Sequence, residues 1–406
     1  MQKRIITFIL SLILCLMVCS CNSDQPDTTM IWNEMPALTY GSLYSKELDI
    51  TTWNNGRCEA TSNYEFAETA NGYYYLSGSI LYYADKTDLS AWLPVCNNPG
   101  CSHSANMVSC NARMIRNTFL LQNGRIWFTG FVSEYPELYI GQGDPVAILS
   151  RSADGSDLRL EYVLKESVNI PGDKVSSGQI LTPQHFIYGQ TNMNPDGSYS
   201  GICYRVTNDC TSVLWEGNLP AESAAVRMLL YPFSGDKAFF CSLLGEDQRN
   251  VYFISENIPL ERNTSSYIYE GRYLSGNMLR CFRANEGYYD VNLETGEECL
   301  VAQNQLENSG AVILLPNCII ESTLDYYANS LRTANTVHSM KLFDGEKWLD
   351  VMLPTELKNA GLNTFAVPFS VTSDNIFVRV TVGMHTCLYR IALGQDNPQL
   401  EYCGQI

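Results

Sequence analysis

Seven times along this chain a turn sequence runs straight into a short aromatic or β-branched stretch. Asn71-Gly72 precedes Tyr73-Tyr74-Tyr75-Leu76, Asn123-Gly124 precedes Arg125-Ile126-Trp127-Phe128, and Pro183-Gln184 precedes His185-Phe186-Ile187-Tyr188. The unit returns as Gly235-Asp236 before Lys237-Ala238-Phe239-Phe240, and as Asn285-Glu286-Gly287 before Tyr288-Tyr289. It closes with Pro316-Asn317 before Cys318-Ile319-Ile320 and Ser373-Asp374 before Asn375-Ile376-Phe377-Val378. Asn-Gly between such runs favours a tight hairpin, because both central positions of that turn need positive φ. Most intervals are about 50 to 60 residues, close to one four-stranded propeller blade. The interval near Tyr288 is shorter, which leaves the blade count open.

A second hairpin recurs between strands. Ser152-Ala153-Asp154-Gly155-Ser156-Asp157 separates Ala147-Ile148-Leu149 from Leu158-Arg159-Leu160. Leu293-Glu294-Thr295-Gly296-Glu297 and Phe343-Asp344-Gly345-Glu346-Lys347-Trp348 sit similarly. These resemble the outer hairpins of propellers found in periplasmic translocation proteins. Helical periodicity is nearly absent, with Glu356 to Ala360 the clearest helical turn. Charged residues are only 17% and Tyr numbers 25, a balance that favours sheet over helix. The expected fold is an all-β propeller over residues 61–406, with seven blades and six or eight as alternatives. A pair of β-sandwiches is opposed by the even spacing and the lack of a mid-chain linker. The ring is expected to close by pairing the last strand, Leu388 to Ile406, with a strand near Tyr64 to Ala67, which would remove an open edge.

The N-terminus carries an export signal. Lys3 and Arg4 precede an uncharged, apolar run from Ile5 to Val18, 14 residues long. That is the order of a secretory signal, and it falls short of the roughly 20 residues that span a bilayer as a helix. The run ends in Val18-Cys19-Ser20-Cys21, which resembles the lipobox of bacterial lipoproteins. The resemblance implies cleavage after residue 20 and a diacylglyceryl thioether on Cys21, with acyl chains such as palmitate. Two chains hold a protein stably on a bilayer where one does so only reversibly. Residues 1–20 are therefore read as a signal peptide. Residues 21–60, polar and interrupted by Pro26 and Pro36, are read as a flexible tether. The expected location is the outward face of a bacterial cell envelope.

One segment is distinctive: Leu93-Pro94-Val95-Cys96-Asn97-Asn98-Pro99-Gly100-Cys101-Ser102-His103, followed by Cys110-Asn111-Ala112. With Asn71-Gly72-Tyr73-Tyr74-Tyr75 and Leu81-Tyr82-Tyr83 upstream, it is similar to a signature of uncharacterised surface lipoproteins of gut-type bacteria. In those chains the first blade ends in Cys-Asn-x-Pro-x-Cys-x-His followed by Cys-Asn-Ala. The resemblance covers residues 64–130, supports the fold and the location, and implies no activity.

Cys96, Cys101, His103 and Cys110 form the candidate metal-ligating set. Three thiolates and an imidazole suit tetrahedral zinc, although the spacing is not a standard finger pattern. Export favours disulfides instead. With Cys58, Cys203, Cys210, Cys241, Cys281, Cys299, Cys318, Cys387 and Cys403 the cluster cysteines make an even set, as full pairing would require. Reduced, packed thiols are the third reading. In each case the cluster is expected to pin the loop after the first blade.

Catalytic signatures are absent. There is no H-E-x-x-H, G-x-S-x-G or Walker-type sequence, and His103, His185, His338 and His385 are scattered. Asp144, Asp154, Asp157 and Asp196 lie in Gly-containing turns, but none offers the oxygen set of a calcium loop, so turn chemistry accounts for them. Tyr and Trp side chains could form a sugar or peptide platform, with Trp32 and Trp53 the candidates outside the repeats. A net charge of −17 repels phosphate backbones and disfavours nucleic acid. It also presents no basic patch to anionic lipid, leaving the lipid to hold the membrane. The expected function is binding of a protein, peptide or glycan at the cell surface. The alternative is a carbohydrate-active enzyme with a carboxylate pair in the propeller mouth.

Replacing Cys21 with Ser should abolish lipid attachment and membrane retention. Metabolic labelling with a tagged fatty acid reads this directly, and label persisting in the Cys21→Ser protein would refute it.

Overall fold

The computed structural model describes residues 50–53 and 66–406, apart from 105–108, 115–118, 123–124, 136, 139–143, 182–185, 207–210, 220–237, 245–247, 256–257, 264–267, 276–277, 284–285, 293–294, 307–310, 315–317, 325–337, 361–363, 373 and 384. The signal at 1–20, Cys21, Trp32, Cys58 and His185 lie outside the described residues.

The described strands form seven sheets, each an antiparallel meander of strands consecutive in sequence. The first holds Ile50–Trp53, Phe66–Thr69, Gly72–Ser77, Ile80–Asp85 and Leu93–Pro94. The second runs through Phe119–Gln122, Arg125–Phe131, Val146–Ser152 and Arg159–Leu164. The third is Asp173–Leu181, Phe186–Met193, Tyr199–Val206 and Thr211–Leu219, and the fourth Ala238–Leu244, Gln248–Ser255 and Ile258–Asn263. The fifth is Ile268–Ser275, Met278–Arg283, Gly287–Asn292 and Glu298–Ala302. The sixth is Ala311–Leu314, Ile319–Ser322, Met340–Phe343 and Trp348–Asp350. The seventh is Thr364–Val371, Asn375–Val382, His385–Ala392 and Leu400–Gln405. Helix among the described residues is limited to single turns, such as Thr355–Lys358. None is long and apolar enough to cross a membrane.

This is a seven-bladed propeller. First strands of adjacent sheets touch: Ile50–Trp53 against Phe119–Gln122, Ile268–Ser275 against Ala311–Leu314, and Ala311–Leu314 against Thr364–Val371. The first strands thus gather at the middle and the last ones lie outside. Burial follows that order. Phe186–Met193 is buried on both faces along nearly its whole length, whereas Glu298–Ala302 is exposed along most of its own. A strand covered on both faces reads as a continuous apolar run rather than an alternating one. That is why most of the aromatic runs mark middle strands; in the fourth sheet the run falls in Ala238–Leu244, the first strand. They are second strands in the second, third, sixth and seventh sheets, and Gly72–Ser77 is the equivalent strand of the first. In the fifth, Gly287–Asn292 is the third strand, which accounts for the short interval near Tyr288.

The Asp-Gly hairpins join third to fourth strands in the second and sixth sheets, and Thr295-Gly296 does so in the fifth. Gly155, Gly296 and Gly345 there hold φ of 84°, 76° and 102°, a region that costs glycine little.

Two features differ from the sequence reading. Ile50–Trp53 falls within the stretch read as tether, yet it pairs with Phe66–Thr69. Among the described residues the ends of the propeller do not share a sheet: Leu400–Gln405 pairs with His385–Ala392, and Phe66–Thr69 with Ile50–Trp53 and Gly72–Ser77. The first and seventh sheets meet through side chains instead. Phe66 lies 4.7 Å from Phe377 and 5.7 Å from Phe369, centroid to centroid, and Tyr75 lies 4.7 Å from Phe369. Tyr73, Ala84, Trp92, Leu388 and Cys403 complete this core. Gly404, at φ 139°, passes so close to the Ser90 and Leu89 carbonyls and the Trp92 ring that a Cβ would crowd all three.

Phe377, fully buried, bridges the two sheets. Phe377→Ala should cost about 3–5 kcal/mol of unfolding free energy. Tyr402→Ala, at 57% exposure, should stay within about 0.5 kcal/mol. Urea denaturation compares them, and equal losses would contradict closure by this cluster.

Candidate metal centre

The loop from Val95 to Met114 leaves the first sheet and lies back along its strand Ile80–Asp85. Val95 N–H donates to Leu81 O at 2.8 Å, Leu81 N–H to Ala112 O at 2.8 Å, and Met114 N–H to Ser79 O at 2.8 Å. Backbone bonds made at both ends bring Cys96 beside Cys110. Between them Asn98 accepts the Gly100 N–H at its Oδ1, 3.1 Å away, and the Cys101 N–H at its carbonyl, 3.2 Å away. Pro99 and Gly100 tighten this turn. His103 then takes a φ of 52°, uncommon for a residue with a Cβ. Its N–H donates to Cys101 Sγ at 3.3 Å, and its Nδ1 lies 3.9 Å from Cys110 Sγ.

The four side chains named from the sequence therefore meet. One ligand atom from each of Cys96, Cys101, His103 and Cys110 lies within 4.8 Å of all the others. Cys110 is buried and the other three are half-buried, packed with Ile80, Ala112 and Tyr82. None of the three sulfurs is in a disulfide, and neither are Cys203, Cys299, Cys318, Cys387 and Cys403. Burial opposes ionisation of Cys96, yet the N–H groups of Asn98, Asn111 and Ala112 and the Cys101 thiol hold it below the ordinary thiol range. Burial, with the Cys101 and Cys96 sulfurs alongside, pushes the Cys110 thiol up to about 12. Elsewhere Cys203, Cys318 and Cys403 are buried apolar side chains.

The loop also touches the second sheet. Arg151, 4% exposed, donates to Asn111 O at 2.8 Å, and Arg113 donates to Glu134 O at 2.8 Å. A Cβ at Gly155 would collide with the Val95 carbonyl, so the outer hairpin of the second sheet rests directly on the loop.

The other candidates do not join this centre. His338 is buried; its N–H donates to Lys358 O at 2.9 Å and its Nε2 to Ala360 O at 3.2 Å. His385 is exposed, beside Gln405. Asp154 and Asp196 each accept the N–H and hydroxyl of a serine two residues on, Asp157 pairs with Arg125 and Arg159, and Asp144 accepts the Ser133 N–H. Trp53 ends the first strand.

Sequence reasoning passed over Glu321, at the edge of the sixth sheet's Ile319–Ser322. It is fully buried and accepts the Tyr288 hydroxyl at 2.7 Å, the Gln305 N–H at 3.0 Å and the Leu306 N–H at 2.8 Å. It thus latches the fifth sheet to the sixth. An acid inside an apolar run, Cys318-Ile319-Ile320-Glu321, was the available signal, as was Arg151 within Ile148-Leu149-Ser150-Arg151.

No protein-family profile matches this chain, and no curated protein matches it. Among solved structures it is similar to a prolyl endopeptidase at 11% identity and TM-score 0.47, over 93% of this chain and 54% of that one. It thus spans about half that relative's length. It is also similar to the β-propeller domain of the Trilobed protease from Pyrococcus furiosus, at 8% identity and TM-score 0.39, over 87% of this chain and 98% of that one. The BP39L lectin from Burkholderia pseudomallei gives 8% identity and TM-score 0.39, over 87% and 100%. These likenesses say nothing of what this chain binds or does.

Burial raises the Glu321 carboxyl above its usual range, against the pull of Tyr288, the two N–H donors and Lys341. The unfolded carboxyl ionises near 4.3, roughly. Between that value and the raised one, the folded chain keeps a proton the unfolded chain has released. This group's contribution is therefore full below the unfolded value and lost as pH rises through the folded one. Glu321→Gln removes the titration. Its stability deficit against the natural chain should shrink as pH rises from about 4 to 7. Denaturant midpoints at each pH measure it; a deficit that grows with pH would contradict the assignment.

Proposed function

We propose that this chain is a lipid-anchored, outward-facing lipoprotein whose propeller binds a protein, peptide or glycan without catalysing a reaction. The observation that carries the reading is where its buried acidic, basic and imidazole groups point. The buried acidic, basic and imidazole side chains among the described residues are Glu68, Arg151, Glu321 and His338. Glu68 accepts Lys86 Nζ at 2.7 Å, Arg151 holds the Asn111 carbonyl, Glu321 latches two sheets, and His338 spans to Ala360. Catalytic acids and bases are perturbed groups aimed at a ligand. These four are aimed at the protein's own backbone and side chains.

The anchoring half of the proposal rests on Val18-Cys19-Ser20-Cys21. From Cys21 to Ile50 the chain is 29 residues along, enough for a reach of at most about 100 Å if fully extended. The net charge of −17 turns the binding surface towards neutral or basic partners and away from nucleic acid.

The full-length chain in detergent micelles, probed on glycan and peptide arrays, should show saturable binding to a restricted set of ligands. Mass spectrometry of the eluted ligand should find it intact. Cleaved product would replace this reading with a carbohydrate- or peptide-active enzyme, and binding to neither array would count against it.

A further inference from the structure

We propose that Cys96, Cys101, His103 and Cys110 hold a single structural zinc ion, which fastens the loop between the first two blades of the propeller. Their ligand atoms all lie within 4.8 Å of one another. Around one tetrahedral zinc, with Zn–S bonds near 2.3 Å, sulfurs stand about 3.8 Å apart. The set is thus already close to the span one ion imposes, and too tight for an iron–sulfur cluster between the same four atoms.

A disulfide does not use this arrangement. It would join two sulfurs at about 2.05 Å and leave the third sulfur and the imidazole facing each other with nothing to bind. The backbone is instead shaped to present all four. His103 takes its left-handed conformation at the point where the ring turns to Cys110, and Cys101 Sγ accepts the His103 N–H. Donors of this kind orient and stabilise thiolate ligands from outside the metal's own shell.

Binding converts three thiols and a neutral imidazole into three thiolates and a coordinated imidazole. Three protons leave for solvent as Zn²⁺ enters, and the centre carries a net charge of −1. The buried Arg151 guanidinium donates to the carbonyl of Asn111, next in sequence to Cys110, at 2.8 Å and puts a positive charge beside the loop. Four protein ligands close the coordination shell, which makes the site structural rather than catalytic. Its place in the fold says what it stabilises. The loop it closes carries the carbonyls of Asn111 and Val95, on which Arg151 and the Gly155 hairpin of the second blade rest.

The test uses the full-length chain, untagged, purified under reducing conditions in detergent with zinc supplied. Elemental analysis should give one zinc per chain. Cobalt(II) in its place should show thiolate-to-metal charge transfer and the strong visible bands of a tetrahedral site. Cys101→Ser and His103→Ala should weaken zinc binding by more than the roughly 10–100-fold that loss of an outer-shell partner costs. Cys299→Ser, at an exposed cysteine, should leave the stoichiometry unchanged. Should the ligand variants fail to fold, alkylation of the natural chain still decides. Chelator should make Cys96, Cys101 and Cys110 newly reactive, identified by peptide mapping. Zinc well below one per chain, equal alkylation with and without chelator, or a mapped disulfide between any two of the three would each overturn the proposal.

Discussion

The structure depends on the face-to-face packing of neighbouring sheets. A four-stranded meander exposes two faces, and each must be covered by the next sheet for its middle strands to be buried. Six of the seven contacts in the ring join sheets that follow one another along the chain. The seventh joins the first sheet to the last, and no connecting segment holds it. Here that junction is made by rings: Phe66 and Tyr73 against Phe377, and Tyr75 against Phe369. Aromatic side chains suit this role, because each buries a large area and their tilted contacts add to it. Among the described residues no strand is shared between the two ends, and side-chain packing joins the first sheet to the last.

The first blade is therefore the piece most in need of fastening. It meets the seventh chiefly through the aromatic core, and its last strand, Leu93–Pro94, is short. The Val95 to Met114 loop offsets this. It adds backbone bonds to Ile80–Asp85, gathers three thiols and an imidazole, and gives Arg151 and Gly155 of the second blade a surface to rest on. The same logic governs Glu321, which ties the fifth blade to the sixth through Tyr288. Arg151 and Glu321 are both buried at seams between blades, where their hydrogen bonds also tie neighbouring sheets together.

Much was legible in the sequence. Turn residues followed by aromatic runs depend on neighbours a few positions apart, so in six of the seven sheets they marked an inner strand. The set of four ligand side chains was visible as well, because all fall within a short loop. Asp154 and Asp196 lie in the same class, since an Asp-x-Ser bond closes over three positions. Glu321 and Arg151 were passed over, because an acid or a base in an apolar run announces burial without naming its partner.

What the sequence by itself determined is the all-β repeat and the residues of the Cys/His cluster, each written in contiguous stretches of chain. What only the tertiary structure decided is the number of sheets, the mode of closure and the convergence of the cluster. Phe66 and Phe377 are more than three hundred residues apart, and nothing local to either requires that they touch. The space within 4.8 Å that Cys96 shares with Cys110 exists because Leu81 bonds both ends of the loop, to Val95 and to Ala112. Such contacts are fixed by how sheets stack on one another, and side-chain packing between sheets leaves no period in the sequence.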